Sequence, residues 1–153
     1  MKTEERIKLA SEAFNNNYNC AQAVLMGFPD LQGAGHVSVV RQSVGFGGGM
    51  GRLQEMCGAL TGGIMLVGLY MGKDIPDNEN KEYVYQQVQD FAEQFRANWG
   101  TIKCSDLLGV DLRTEKGRQL HDYLLQKDKI CHKCVALAVE IADKMITEHR
   151  GKP

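Results

Sequence analysis

No basic cluster, no apolar leader, no internal repeat and no run of alternating apolar and polar residues occurs in this 153-residue sequence. Each absence closes a class. The net charge is −1, and basic residues are nowhere interleaved with aromatics. A phosphate-tracking groove or an anionic-lipid surface therefore has no electrostatic footing, and nucleic acid is not an expected partner. Residues 1–10 are polar and charged where a signal peptide needs an apolar core, which points to a cytoplasmic location. The uncharged run 56–72 only matches the minimum spanning length of about 17 residues, and Thr61, Gly58, Gly62, Gly63 and Gly68 dilute it. A helix buried in a core is expected there, with no membrane insertion. Since nothing demands a sheet, the expected architecture is all-α. One domain spanning residues 1–153 would fold as a compact bundle of about five to seven helices with a glycine-rich loop.

Thr3 before Glu4 and Glu5 reads as an N-cap with acidic first-turn residues, opening a helix that runs to about Phe14 and is interrupted by Asn15, Asn16 and Asn17. A second helix is expected over 19–28, stopped by Pro29, then a loop over 31–35. A short helix over 36–44 would put Val37, Val40 and Val44 on one side. Residues 52–72 read as one long apolar helix, and 73–79 as a loop ending in a capping Asp or Asn. The clearest periodicity places Val84, Val88, Phe91, Phe95 and Trp99 on one stripe of a helix over 81–99, closed by Gly100. Residues 104–109 form a turn, and 114–126 a helix weakened by Gly117. The last helix, about 130–148, carries Val135, Ala138, Ile141, Ala142 and Met145 on its apolar face before Gly151 and Pro153 end the chain.

What the sequence does have is five cysteines: Cys20, Cys57, Cys104, Cys131 and Cys134. In a reducing compartment they speak for metal binding, reversible redox chemistry or inert buried thiols. Cys131 and Cys134 are three apart, on one helix face. Both fall in the expected first turn, where the helix dipole favours the thiolate. This is no haem attachment motif, because Val135 follows where a histidine should stand. A zinc site would need a second close ligand pair, and the other cysteines are isolated. Cys134, in register with Ala138 and Ile141, reads equally well as a small core residue.

Cys57 stands within the expected apolar helix, where Gly58 and Gly62 would let another helix or a prosthetic group approach closely. Cys20, Cys57, Cys104 and Cys131 all lie near expected helix starts on four different segments, an arrangement that favours convergence on one site. Residues 45–51 hold Gly48 and Gly49 in a loop that could close over it. They match neither a Walker A loop nor a dinucleotide fingerprint. His132 should point away from both adjacent cysteines, and His36, His121 and His149 read as solvated. No HExxH or Ser/His/Asp pattern is present.

The order Asn19-Cys20-Ala21-Gln22-Ala23-Val24-Leu25, Gly47-Gly48-Gly49-Met50-Gly51-Arg52, Cys57-Gly58-Ala59-Leu60-Thr61-Gly62, an isolated Cys104 and then Cys131 resembles the redox-active family named for its pattern C–GCxxG–C–C. The resemblance covers about residues 4–146, with Met56 where the family name has a glycine. It implies that Cys20, Cys57, Cys104 and Cys131 are the family cysteines and Cys134 an extra one. The expected function is a four-cysteine redox site. Those four residues would hold an iron–sulfur cluster or another thiophilic metal, with Gly48, Gly49, Gly58 and Gly62 around it and Cys57 and Cys131 as its reactive thiols. A metal-free thiol–disulfide protein, with Cys131 or Cys134 attacking, is the alternative. A helical assembly module with structural cysteines is the third reading. A redox partner protein and a homodimer are compatible with the pattern.

Overall fold

Fourteen residues, Gly58–Met71, form a helix that is apolar nearly all round, and such a helix must be covered by others. It is the centre of the molecule. A computed structural model of the chain describes residues 1–152; Pro153 lies outside them. The helices Cys20–Met26, Asn78–Trp99 and His132–Arg150 pack against the central one, and Thr3–Asn15 lies across Cys20–Met26 and His132–Arg150. Leu25, Leu60, Leu66, Phe91, Phe95, Val135 and Ile146 interlock in a common core. Among the described residues there is no strand, and eight α-helices have five residues or more, slightly above the expected five to seven. The excess is the five-residue helix Cys104–Leu108, where a turn was expected.

The periodic helix is Asn78–Trp99, with Asp77 as its cap, Phe91 and Phe95 fully buried, and Gly100 left-handed at its end. Thr114 caps Glu115–Tyr123. Gly117 does not weaken that helix but permits it, since a Cβ there would stand 1.8 Å from the Asp111 carbonyl oxygen. Among the described residues no helix is long and apolar enough to cross a membrane.

Several expectations are corrected. Thr3 is the first helical residue, and its hydroxyl donates to Asp143 at 2.6 Å instead of capping. The second helix ends at Met26, ahead of Pro29, which instead begins another turn, Pro29–Gln32, followed by a 3-10 turn, so residues 31–35 are not a loop. This follows from the fitness of proline for a first helical position. The helix His36–Gln42 stops short of Val44, which begins a separate 3-10 turn, and Val37 and Val44 are both exposed.

The apolar helix starts at Gly58, not Arg52. Arg52 and Gln54 have φ of 68° and 57°, so residues 52–57 run as an irregular segment. That segment pairs with the stretch before Cys104: Cys57 N–H donates to Ile102 O (2.8 Å) and Cys104 N–H to Glu55 O (2.7 Å), around an antiparallel bridge between Met56 and Lys103. The last helix likewise begins later than expected, at His132, and a π-helical turn over Lys127–Cys131 feeds into it.

Candidate cysteine site

The pairing of 54–57 with 102–105 sets two helix beginnings side by side, each headed by a cysteine. Cys57 is the N-cap of Gly58–Met71, and Cys104 is the first residue of Cys104–Leu108. Cys20 opens a third helix, whose start is held by a reciprocal cap: Asn19 Oδ1 accepts from Gln22 N–H at 3.0 Å, and Gln22 Oε1 from Asn19 N–H at 3.1 Å. Asn19 also donates to Val44 O at 2.7 Å, which ties the glycine segment to this helix. Cys131 and Cys134 reach the same place from the start of the C-terminal helix. All five cysteines line one cavity of about 640 Å³, together with Gly47, Gly48, Gly51 and Gly58.

Close approach explains the glycines. A Cβ on Gly58 would stand 2.4 Å from the Cys20 sulfur, and one on Gly49 2.7 Å from Cys104 Cβ. Gly48 and Gly49 have φ of 66° and 63°, a left-handed conformation that glycine adopts without steric cost. Gly62 serves a different purpose: a Cβ there would meet the Ala21 carbonyl oxygen at 2.6 Å. Its absence lets the central helix and Cys20–Met26 approach backbone to backbone.

The electrostatics divide the five sulfurs. The Cys57 thiol is held below its ordinary value, first by the hydrogen bond it accepts from Cys134 and then by the backbone N–H groups of Leu60 and Ala59, against its burial. The N-cap position supplies those donors. Cys134 is pushed up, first by its role as donor in that bond and then by burial. Burial and the charge of Cys57 raise Cys20 to about 12, although Gly48 and Ala21 N–H groups favour its thiolate. The same two causes raise Cys104 to about 11, opposed by a hydrogen bond from Gln54. Burial and the neighbouring cysteines raise Cys131, opposed by Lys127. Of the five sulfurs, Cys57 is the one whose surroundings favour the thiolate, and the other four are held toward the thiol.

The expected dipole activation of Cys131 and Cys134 is therefore absent. The π-helical turn runs straight into the last helix, and Cys131 already has helical φ and ψ of −62° and −43°. The preceding turn takes up N–H groups that a true helix start would offer. Cys134 was expected as an extra, and it is 1% exposed, yet its thiol is the partner of Cys57. Its i, i+3 relation to Cys131 was the signal for it. Gln54 is another contributor that the sequence does not announce. At 5% exposure, it donates to Val110 O (2.8 Å) and accepts from Leu112 N–H (2.9 Å), holding the segment behind Cys104.

The histidines are more engaged than expected. His121 lines the cavity and its Nδ1 pairs with Gln126 Oε1 at 2.9 Å. His149 pairs with the Tyr83 hydroxyl at 3.0 Å. His132 turns away from the cysteines to Asn15 and the Phe14 ring.

Among the described residues, no three Cys, His, Asp or Glu side chains gather as a single metal ion requires, so a mononuclear centre with sulfurs at about 2.3 Å from one ion does not fit. A cluster places its own iron and sulfide between the ligands. Such a group needs cysteine sulfurs facing one space and N–H donors to them, and the cavity has cysteines in that arrangement with backbone N–H groups at Cys20 and Cys57.

A family model described as "Putative redox-active protein (C_GCAxxG_C_C)" matches residues 18–145. No curated protein and no solved structure matches the chain.

Proposed function

From its membership of the redox-active C_GCAxxG_C_C family, to which this chain belongs, we propose that it is a thiol redox protein in which Cys57 and Cys134 exchange two electrons with a disulfide. The observation that carries this is the Cys57 sulfur, facing the cavity and accepting two helix-start N–H groups and the Cys134 thiol. A lowered thiol pKa raises the fraction of attacking thiolate, and an adjacent thiol is what resolves the product.

The Cys57 thiolate attacks one sulfur of the incoming disulfide. That S–S bond breaks, one thiolate leaves, and a mixed disulfide joins Cys57 to the other half. The bonded Cys57 sulfur no longer holds the Cys134 proton, which passes to the departing thiolate. Cys134 then attacks the Cys57 sulfur, closes an intramolecular disulfide and expels the second thiolate. The substrate disulfide gains two electrons and the cysteine pair loses two. Replacing Cys57 with Ser should abolish exchange with a small disulfide at pH 7, whereas Cys134→Ala should accumulate the mixed disulfide, both read by mass after acid quench. A wild-type protein whose Cys57 and Cys134 remain reduced under excess disulfide would overturn the reading.

A second reading rests on the convergence of Cys20, Cys57, Cys104 and Cys131, from four separate elements, on one cavity. These four would hold an iron–sulfur cluster, which supplies one-electron transfer when bound, and the amides of Gly48, Ala21, Ala59 and Leu60 would donate to its ligand sulfurs. Anaerobic reconstitution separates the readings. Stoichiometric iron and acid-labile sulfide, lost on replacing any of the four but kept in Cys134→Ala, would establish the cluster. Colourless, iron-free protein would exclude it.

A further inference from the structure

The cavity in front of the cysteines is ringed by cations. Arg52, Arg118 and Lys127 line it, against a single carboxylate, that of Asp122. None of the three cations takes part in an ion pair among the described residues. The Arg118 guanidinium is held by one N–H on Leu112 O at 2.9 Å, which leaves its other N–H groups available. The Lys127 ammonium lies 4.8 Å from the Phe14 ring centroid, anchored on the cavity wall. Arg52 projects from a left-handed backbone position in the glycine segment and is exposed. The chain as a whole has a net charge of −1, so this grouping is a local departure from the average.

Between the cations the wall is apolar, with Val44, Leu107, Leu112 and Ile130. A space of about 640 Å³ falls within the range of roughly 300–1,000 Å³ that receives small molecules. Cations placed around a low-dielectric cleft attract anions and raise their local concentration, in a manner that added salt suppresses.

We propose that the cysteine cavity selects a small anionic disulfide, one carrying carboxylate or comparable groups beside an apolar body. Arg52, Arg118 and Lys127 are its binding residues. This rests on the thiol–disulfide reading for the identity of the substrate: the anionic disulfide is the oxidant, accepting two electrons and leaving as two thiols while Cys57 and Cys134 become a disulfide. The anion selectivity is a property of the cavity and is tested without that chemistry.

Iodoacetate and iodoacetamide alkylate thiols alike and differ in charge. Their rates at each cavity cysteine of the full chain, followed by peptide mass spectrometry at low salt, give a ratio to set against the same ratio for a free thiol. The ratio should exceed that of the free thiol severalfold. It should fall toward the free-thiol value in 0.5 M salt, and fall again in Arg52→Glu and in Lys127→Ala. A ratio no higher than for the free thiol, or unmoved by salt and by both substitutions, overturns the proposal. With the selectivity present, oxidised glutathione (anionic) and cystamine (cationic) are then compared as oxidants of Cys57. Faster oxidation by glutathione supports an anionic substrate. Anion-selective alkylation with no oxidation by either disulfide rejects the thiol–disulfide reading and leaves an anion-selective cavity in place.

Discussion

The helices Cys20–Met26 and His132–Arg150 each run from the cysteine cavity toward a second polar cluster, and the two clusters are built on opposite principles. Near their far ends, Arg6 of the first helix is 4% exposed and fully partnered. Its guanidinium meets Asp30 through two bonds of 2.7 and 3.0 Å, Asp143 at 2.9 Å, and the Gly27 carbonyl at 3.2 Å, while its face covers the Phe28 ring. Charge is buried there only because every donor has an acceptor. At the cavity end, five sulfurs face one space, and only Cys57 among them is disposed toward the thiolate. The Arg6 cluster closes the bundle, and the cysteine cluster holds it open. Polar groups paired with one another stabilise a fold, whereas polar groups facing a void are disposed toward something that enters it.

The contrast breaks most sharply at Arg6. Replacing it with Ala removes both ion pairs, leaving Asp143 with only the Thr3 hydroxyl and Asp30 without its cation. Loss of one partner of a buried pair costs about 3–5 kcal/mol. Asp30 is 35% exposed, which screens part of that loss, so about 3 kcal/mol is expected in denaturant unfolding. The lowered Asp30 carboxyl adds a pH signature. Stability that it contributes is present above the unfolded carboxylate value and is lost as pH falls through the folded one, so acid should weaken the wild type more than the variant. Thiol alkylation at Cys57 should be unaffected in the folded fraction, and a large change there would mean that the two clusters are coupled.

A smaller effect sharpens the other side. In Gly58→Ala the new methyl would collide with the Cys20 sulfur and with the Phe46 carbonyl oxygen, at 2.4 and 2.7 Å. The carbonyl is backbone and yields little, so overpacking of about 1–3 kcal/mol follows, together with a displaced Cys20 and an altered alkylation rate. Gly45 has open space around it, and Gly45→Ala serves as the control. Equal melting temperatures for the two variants would deny that the glycine cradle is tight.

These two regions also differ in how far they could be read beforehand. The stripe from Val84 to Trp99, a capping Asp before it and the apolar face of the last helix follow from helical period and capping chemistry, and the structure has all three. Convergence of cysteines near helix starts was legible because each follows or forms a start signal. The segment 52–57 was not legible. Its residues are compatible with a helix, and the left-handed φ of Arg52 and Gln54 has no mark in residues that rarely adopt it. Those turns arise from pairing with residues 102–105, a long-range contact, and they are what make Cys57 an N-cap and not a mid-helix thiol. The neighbour of Cys134 is hidden for a related reason: helical register says that this thiol faces inward, but not that the group it meets there is Cys57.

The last effect lies in alkali. Cys20 and Cys104 are raised to about 12 and about 11, and Cys131 is raised as well, each mainly by burial, whereas an unfolded thiol titrates near 8.5. A raised folded value means that the native state keeps protons which the unfolded chain releases. The stability due to these thiols is complete below about pH 8.5 and declines as pH climbs toward the folded values. Cys57, with its lowered value, runs the other way: its contribution is present above the unfolded value and fades as pH falls through the folded one. Denaturant midpoints from pH 7 to pH 10 should therefore drift downward, and Cys104→Ala should flatten part of that drift while Arg6→Ala should not. A drift that persists unchanged when Cys20, Cys104 and Cys131 are replaced one at a time would place the alkaline sensitivity outside the cavity, and with it the claim that these sulfurs rest as thiols.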